Sequence, residues 1–335
     1  MPLSFEVLGQ PGRDNALFVK IDTGQAVTRL LFDCGDGCPH AMPFAELTAV
    51  DHLFFSHLHM DHVAGFDQFF RATFTREAKP NVVYGPAGTA EILHHRFRGF
   101  LWNLVADSTP VNWNVVELWP DATREFQFRL TEGFRTSHPV GTGPSVDPTL
   151  FGDGFTVESH IMDHGTPSVA YVVRELPRLN VDAEKMKAKG FAPGPWVKRL
   201  RGPKAAPGET IDIKGEAVSL AALQDELLVT TPGDSIAYLT DFRMDDAARA
   251  YIAEHCKGVN TIVCECQYRT ADHDLAVRNM HMAADEVALM ASAAGAGRLI
   301  LFHVSDRYTR AEYPDLLAEA RAIFPNTSFP AGWVS

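Results

Sequence analysis

The sequence is short of the features that would place it outside the ordinary globular class. No run approaches the ~20 apolar residues of a membrane span. The opening Met1-Pro2-Leu3-Ser4-Phe5-Glu6 has no basic region and no apolar core of signal-peptide length, so a cytoplasmic location is expected. Cysteine is scarce and odd in number: Cys34, Cys38, Cys256, Cys264 and Cys266 read as reduced thiols, not as a disulfide framework. Positive charge is in deficit. A net charge of −12 excludes a uniformly basic nucleic-acid binder, though not a local basic patch. With 335 residues, 46% of them hydrophobic, the chain has ample material for a large core.

What is abundant is histidine in one place. Ser56-His57-Leu58-His59-Met60-Asp61-His62 follows the apolar Leu53-Phe54-Phe55, which reads as a buried strand. On an extended segment His57 and His59 point to the same side. Asp61 and His62 follow at the turn, where they can face a second point nearby. Imidazole nitrogen and carboxylate oxygen suit zinc and similar divalent ions. One ion could not easily take all four groups from so short a run, so two adjacent metals are expected.

Elsewhere the pattern is one of strands that end in ligand-type residues. Strands are expected at Phe5–Gly9, Ala16–Asp22 and Thr28–Phe32, the last running into Asp33-Cys34-Gly35-Asp36-Gly37-Cys38. Asp33 and the glycines suit a tight turn beside the metals. Cys34, Cys38 and His40 lack an evident fourth ligand and read as a buried thiol pair with a neighbouring histidine. A helix is expected over Val63 to Phe74 and another over Thr89 to Phe97, with His94-His95 a surface pair. Residues 99–155 are hard to read; Pro139 to Gly154 reads as a loop, with His138 beside it. A strand from Phe155 ends at Asp163-His164-Gly165. His164, at the strand end, is preferred over His160 as a metal ligand. Further strands end at Asp241, at Cys266 and at His303. His281 opens a helix from Met282 to Ala294, and a last helix covers Arg310 to Ile323. The two halves show a weak symmetry, Asp33 and His57 against Asp241 and His303. Composition and periodicity by themselves indicate an α/β protein with several strands.

Residues 174–214 stand apart. Ten Lys/Arg against five Asp/Glu give +5 within the −12 chain, and the stretch is rich in proline and glycine. It reads as a protruding, loosely ordered basic arm inserted in a single domain spanning 1–335, able to contact phosphates without sequence preference.

His-x-His-x-Asp-His after an apolar strand resembles the signature of the metallo-β-lactamase superfamily. Phe32-Asp33-Cys34-Gly35-Asp36-Gly37, Asp163-His164-Gly165, Pro193-Gly194-Pro195-Trp196 and His303-Val304-Ser305-Asp306-Arg307-Tyr308 are similar to motifs of its ribonuclease Z branch. The resemblance implies a four-layer αβ/βα sandwich with the metals at the edge between the sheets. It implies that His57, His59 and His164 hold one zinc, that Asp61, His62 and His303 hold the other, and that Asp241 bridges them, with Mn²⁺ or Fe²⁺ able to stand in. It further implies that Asp61 orients a metal-activated hydroxide toward phosphorus and that Glu265 and His281 assist the leaving group, while Ser305 and Arg307 steady the phosphate. Lys198, Arg199 and Arg201 would grip the substrate. The implied activity is endonucleolytic cleavage at the 3′ ends of tRNA precursors. Three departures from the pattern, Glu265-Cys266-Gln267, His281-Met282 and Thr240-Asp241-Phe242, keep a second reading open, a phosphodiesterase or arylsulfatase-like hydrolase of small esters. The expected partners are thus a tRNA precursor or a small phosphodiester or sulfate ester, and no membrane, with room for a homodimer.

Overall fold

Alternating apolar and polar residues over the first 32 positions form three antiparallel strands, β1 (Leu3–Gly9), β2 (Asn15–Asp22) and β3 (Val27–Phe32). The computed structural model describes residues 3–105, 110–144, 150–213 and 215–334. Beyond β3 the sheet continues in parallel through β4 (His52–Phe54), β5 (Asn81–Pro86) and β6 (Asn112–Leu118). Short helices make the crossovers that parallel pairing requires, among them Phe66–Thr73 and Thr89–Phe97. β7 (Ala122–Arg129) and β8 (His138–Pro144) close the eight-stranded sheet.

The next strands in the chain are β9 (Leu150–Gly152), β10 (Phe155–Asp163) and β11 (Pro167–Glu175). After an inserted segment they are joined by β12 (Ser235–Leu239), β13 (Thr261–Glu265), β14 (Arg298–Phe302) and β15 (Thr327–Ser328). Together they make a seven-stranded sheet in which β12 to β15 run parallel. Side-chain alternation then sets the layers. Leu30, Phe32, Phe54 and Tyr84 face the second sheet, while Leu31, Leu53 and Val83 face helices. Tyr171 and Tyr238 reach across from the second sheet, their rings 5.4 and 5.8 Å from that of Phe32. The helices Asp246–His255, Ala284–Ala293 and Tyr313–Ile323 pack on the far side of that sheet. The result is the expected helix–sheet–sheet–helix sandwich. No helix among the described residues is long and apolar enough to cross a membrane.

Several local expectations change. The helix read over Val63 to Phe74 is two pieces, Met60–Val63 and Phe66–Thr73, broken at Gly65. A Cβ on Gly65 would lie 2.2 Å from the carbonyl oxygen of Gly35, so the chain can pass here only without a side chain. The span Pro139 to Gly154 is not all loop. It supplies β8 and β9, and β8 is an edge strand, where proline is tolerated because one side of the backbone needs no partner; residues 145–149 lie outside the described residues. His281 precedes its helix by three residues, after a helix His273–Asn279 that periodicity did not reveal.

By Cα packing the chain divides into two units, Met1–Arg174 with Asp234–Ser335, and Glu175–Gly233. The second unit is longer than the basic stretch and is not loosely ordered. It has two small two-stranded sheets, three helices and its own core of Met186, Leu200, Ile213, Leu220, Leu223 and Leu227. Over 175–233 there are nine Lys/Arg and eight Asp/Glu, so the unit is near neutral, at +1. Lys214 lies outside the described residues.

Gly65→Ala should cost about 1–3 kcal/mol, as overpacking does, because its Cβ meets rigid backbone. Gly141→Ala, whose Cβ would meet nothing within 4 Å, serves as the control. Equal denaturant midpoints for the two variants would show that the approach of Gly65 to Gly35 is not a constraint.

Candidate metal centre

Three strands run out at the same edge of the sandwich and turn sharply there. Asp33 follows β3, Asp241 follows β12 after one residue, and His303 follows β14. Each takes a left-handed backbone, with φ of 58°, 49° and 53°, a conformation that side chains other than glycine rarely adopt. Such turns cost of order 1–3 kcal/mol each and persist only where the surroundings hold them.

Asp33 shows what holds them. Its carboxylate is fully buried and accepts from Ser56 N–H at 2.7 Å, Ser56 Oγ at 2.7 Å, His62 Nδ1 at 2.7 Å and Tyr238 OH at 2.8 Å. A strand end, the histidine loop and the second sheet thus share one carboxylate. Two further bonds cross between the sheets beside it, Tyr171 OH to Phe55 O and Val169 N–H to Ser56 O, both 2.7 Å. The histidine loop leans on the turn after Asp33 through Cys34 N–H to His62 O and Gly65 N–H to Cys34 O, each 2.8 Å.

This framework brings the expected ligand residues together. His57, His59 and His164 offer ligand atoms within 4.8 Å of one another, and so do Asp61, His62, Asp241 and His303. Asp241 Oδ2 stands between the groups, 3.7 Å from His57 Nε2, 3.9 Å from His164 Nε2 and 3.3 Å from His62 Nε2. His303 Nε2 lies 3.3 Å from Asp61 Oδ2. Glu265, His281, Asp241 and His303 form a third, overlapping group, in which His281 Nδ1 is 3.0 Å from Glu265 Oε2.

Burial and charge act on these groups in opposite senses. Burial, with His62 beside it, pushes His57 down to about 2, and burial with His164 lowers His59, which favours the neutral form of both rings. In His62 the opposing effect of burial is outweighed by Asp241 and Asp33, which raise it well above the usual range. In His303 burial is likewise outweighed, by Asp241 and Asp61. Burial also opposes ionisation of Asp61 and Asp241; the neighbouring His303 and His62 prevail and hold both carboxyls low. A divalent ion would compete with protons for His62 and His303 and be favoured by the same carboxylates.

The residues fit such ions. His62 Nε2 is buried and makes no hydrogen bond, although it faces two carboxylates. His57 Nε2 and His59 Nδ1 point at each other across 3.0 Å, an arrangement that a shared cation resolves. Nitrogen and oxygen donors of this kind suit zinc-class metals.

Other expected residues have partners of their own. His138 pairs with Glu132 at 2.7 Å, and the ring of His160 stacks on Tyr251 at 4.0 Å; neither belongs to a ligand group. Arg307 pairs with Asp272 at 3.3 Å, and Ser305 Oγ accepts from its backbone N–H. Lys198, Arg199 and Arg201 belong to the second unit, where Glu209 holds the Arg199 guanidinium. The thiols of Cys34 and Cys38 are buried, burial pushing the latter up to about 12, and His40 is exposed. The supporting roles of Ser56, Tyr238, Met280 and Gln267 carried no signal in the sequence, since each depends on a neighbour distant along the chain.

Comparison with known proteins follows the same line. The family model described as anti-Pycsar protein Apyc1 matches residues 13–153. A ribonuclease Z of Deinococcus radiodurans is 43% identical over 332 residues, covering 99% of each chain. The chain belongs to the ribonuclease Z family. Among solved structures, the metallo-β-lactamase fold protein YhfI of Bacillus subtilis superposes with a TM-score of 0.58 at 15% identity, covering 98% of this chain and 96% of that one. The short form of human tRNase Z superposes with 0.52 at 15% identity, covering 92% and 94%. These two establish the metallo-β-lactamase fold. Membership of the ribonuclease Z family makes the chain a metal-dependent hydrolase of the endoribonuclease class.

The Glu265–His281 pair has a measurable consequence in the metal-stripped protein. Burial alone would lower His281; Glu265 outweighs it and lifts the ring from 6.5 to about 9. A raised histidine stabilises the fold fully below its unfolded value and loses that contribution as the pH rises through its folded value. Glu265→Gln should therefore lower the unfolding midpoint of stripped protein more at about pH 6 than at about pH 10. The same loss at both would mean that the pair is not an ion pair.

Proposed function

We propose that this chain is a two-metal phosphodiesterase that cuts tRNA precursors at their 3′ ends, with two zinc-class ions held by His57, His59 and His164 and by Asp61, His62 and His303, Asp241 between them. The observation that carries the reading is the position of Asp241 Oδ2, a member of the Asp61, His62 and His303 group, within 4 Å of His57 and His164 as well. The family relationship along the whole chain supports the same chemistry. Bound there, the ions supply a water acidified to near neutrality and offset charge on phosphoryl oxygens. The protein's own groups do the rest. Asp61, whose side chain is 44% exposed at the mouth, orients the attacking water by accepting its proton in a hydrogen bond. His281, held at Nδ1 by Glu265, delivers a proton to the departing 3′ oxygen. Ser305 and Arg307, on the loop after His303, contact the phosphate. A cytoplasmic setting suits both the substrate and the five free thiols.

In the second unit Lys187, Lys198, Arg201 and Lys204 are exposed and have no carboxylate within ion-pair distance among the described residues. They are the groups available to phosphates. Arg199, held by Glu209, shapes the turn at Pro203.

A second reading, hydrolysis of small phosphodiesters, is favoured by one observation: the second unit as a whole carries only +1, less than a dedicated polyanion clamp would be expected to carry. Assays on a tRNA precursor and on bis(p-nitrophenyl) phosphate separate the two. The first reading expects precursor cleavage that weakens with salt, and a Lys198→Ala/Arg201→Ala variant whose log–log salt slope is shallower by about 1.4–1.8. Turnover of the small diester with no precursor cleavage would establish the second reading instead. His281→Ala should lose about 10²–10⁴ in rate on the precursor and little on bis(p-nitrophenyl) phosphate, whose leaving group needs no proton. Equal losses on both substrates would remove His281 from the role of acid.

A further inference from the structure

The parallel pair β13–β14 places Glu265 opposite Phe302, so Gln267 and His303 emerge side by side just past the strand ends. Backbone bonds keep them together: Cys266 N–H to Phe302 O at 2.9 Å and Ser305 N–H to Gln267 O at 3.2 Å. The amide Nε2 of Gln267 lies 3.1 Å from His303 Nδ1.

Four other histidines of the centre share a rule. His57 Nδ1 faces Ser56 Oγ at 3.1 Å, and that hydroxyl donates its own proton to Asp33, so it accepts from the ring. His62 Nδ1 faces Asp33 Oδ2 at 2.7 Å, His164 Nδ1 faces Met280 O at 2.9 Å, and His281 Nδ1 faces Glu265 Oε2 at 3.0 Å. Each outer nitrogen meets an oxygen, which fixes the proton there and leaves Nε2 for the interior of the centre. His59 Nδ1 instead faces His57 Nε2 at 3.0 Å, and His303 Nδ1 faces an amide nitrogen, with Asp241 Oδ1 farther off at 3.7 Å. The oxygen and nitrogen of a glutamine amide exchange places by a half-turn that leaves its shape unchanged.

We infer that Gln267 is the positioning residue of His303: its amide oxygen accepts the Nδ1 proton and aims Nε2, beside Asp61, at the second metal position. This rests on the metal-centre reading given above. With the amide reversed, Gln267 would donate to Nδ1 and leave the proton on Nε2, where an ion must bind. The glutamine thereby selects the tautomer on which the ligand role of His303 depends.

The test is zinc binding, not turnover. Parent, Gln267→Met, Gln267→Glu and His303→Ala are stripped of metal and titrated with zinc against a chelator of known affinity. Unfolding of the stripped proteins is followed alongside. Gln267→Met keeps the size but removes the acceptor, and one of two zinc ions should bind about 10–100-fold more weakly. Gln267→Glu keeps an acceptor and should bind zinc at least as tightly as the parent, while Gln267→Met should leave stripped-protein stability unchanged. Parent-like affinity in Gln267→Met would overturn the inference, and so would equal weakening in Gln267→Glu, since only a donating glutamine is damaged by both. If Gln267→Met does not fold, Gln267→Lys takes its place, offering a donor only; affinity equal to that of Gln267→Glu would again overturn the inference. His303→Ala keeps the two levels apart. If it binds both ions as the parent does, the metal-centre reading fails; if it loses one while Gln267→Met loses none, only the role of Gln267 falls.

Discussion

One buried carboxylate holds the centre in shape. Asp33 has no exposure to water and accepts four hydrogen bonds, two from Ser56, one from His62 and one from Tyr238. Bonds to a charged group contribute about 1.5–3 kcal/mol each, and a buried carboxylate left short of partners costs more than it contributes when paired. The donors come from both sheets and from the loop that carries most of the ligands. Moving any one of them therefore uncovers a charge, and the arrangement resists deformation before any ion binds.

The same economy recurs outward. The left-handed turns at Asp33, Asp241 and His303 are unfavourable locally, and each is repaid by the side chain it delivers to the seam. Around the centre, Ser56, Asp33, Met280 and Glu265 present an oxygen to the outer nitrogen of His57, His62, His164 and His281. Groups held this way need little reorganisation when charge develops at a phosphoryl centre, which is the main source of rate in such chemistry. Asp61, by contrast, is left half-exposed at the mouth of the centre.

Much of this was legible in the chain. The histidine loop, the strand-final His164, Asp241 and His303, and the sandwich followed from spacing, strand patterns and resemblance. Other features were not, for identifiable reasons. The full role of Asp33 depends on Tyr238, 205 residues away. The break at Gly65 depends on how close Gly35 passes, which helical periodicity does not report. β8 was hidden because its glycines and prolines are ordinary in loops and are tolerated at a sheet edge. The second unit was cut short because its charge run ends at Lys204 to Lys214, whereas the leucines that complete its core, Leu220, Leu223 and Leu227, come later at helical spacing. Charge marked a surface there, and the apolar residues marked the unit.

The central claim is that an Asp33-centred network presents a ready-made two-metal site. Metal content measured on protein never exposed to chelator, for the parent and for Asp33→Asn, tests it most directly. The parent should carry two zinc-class ions per chain, and the asparagine variant, which puts a donor where only acceptors fit, should carry fewer than two. One ion or none in the parent, or two ions held equally well by Asp33→Asn, would contradict it.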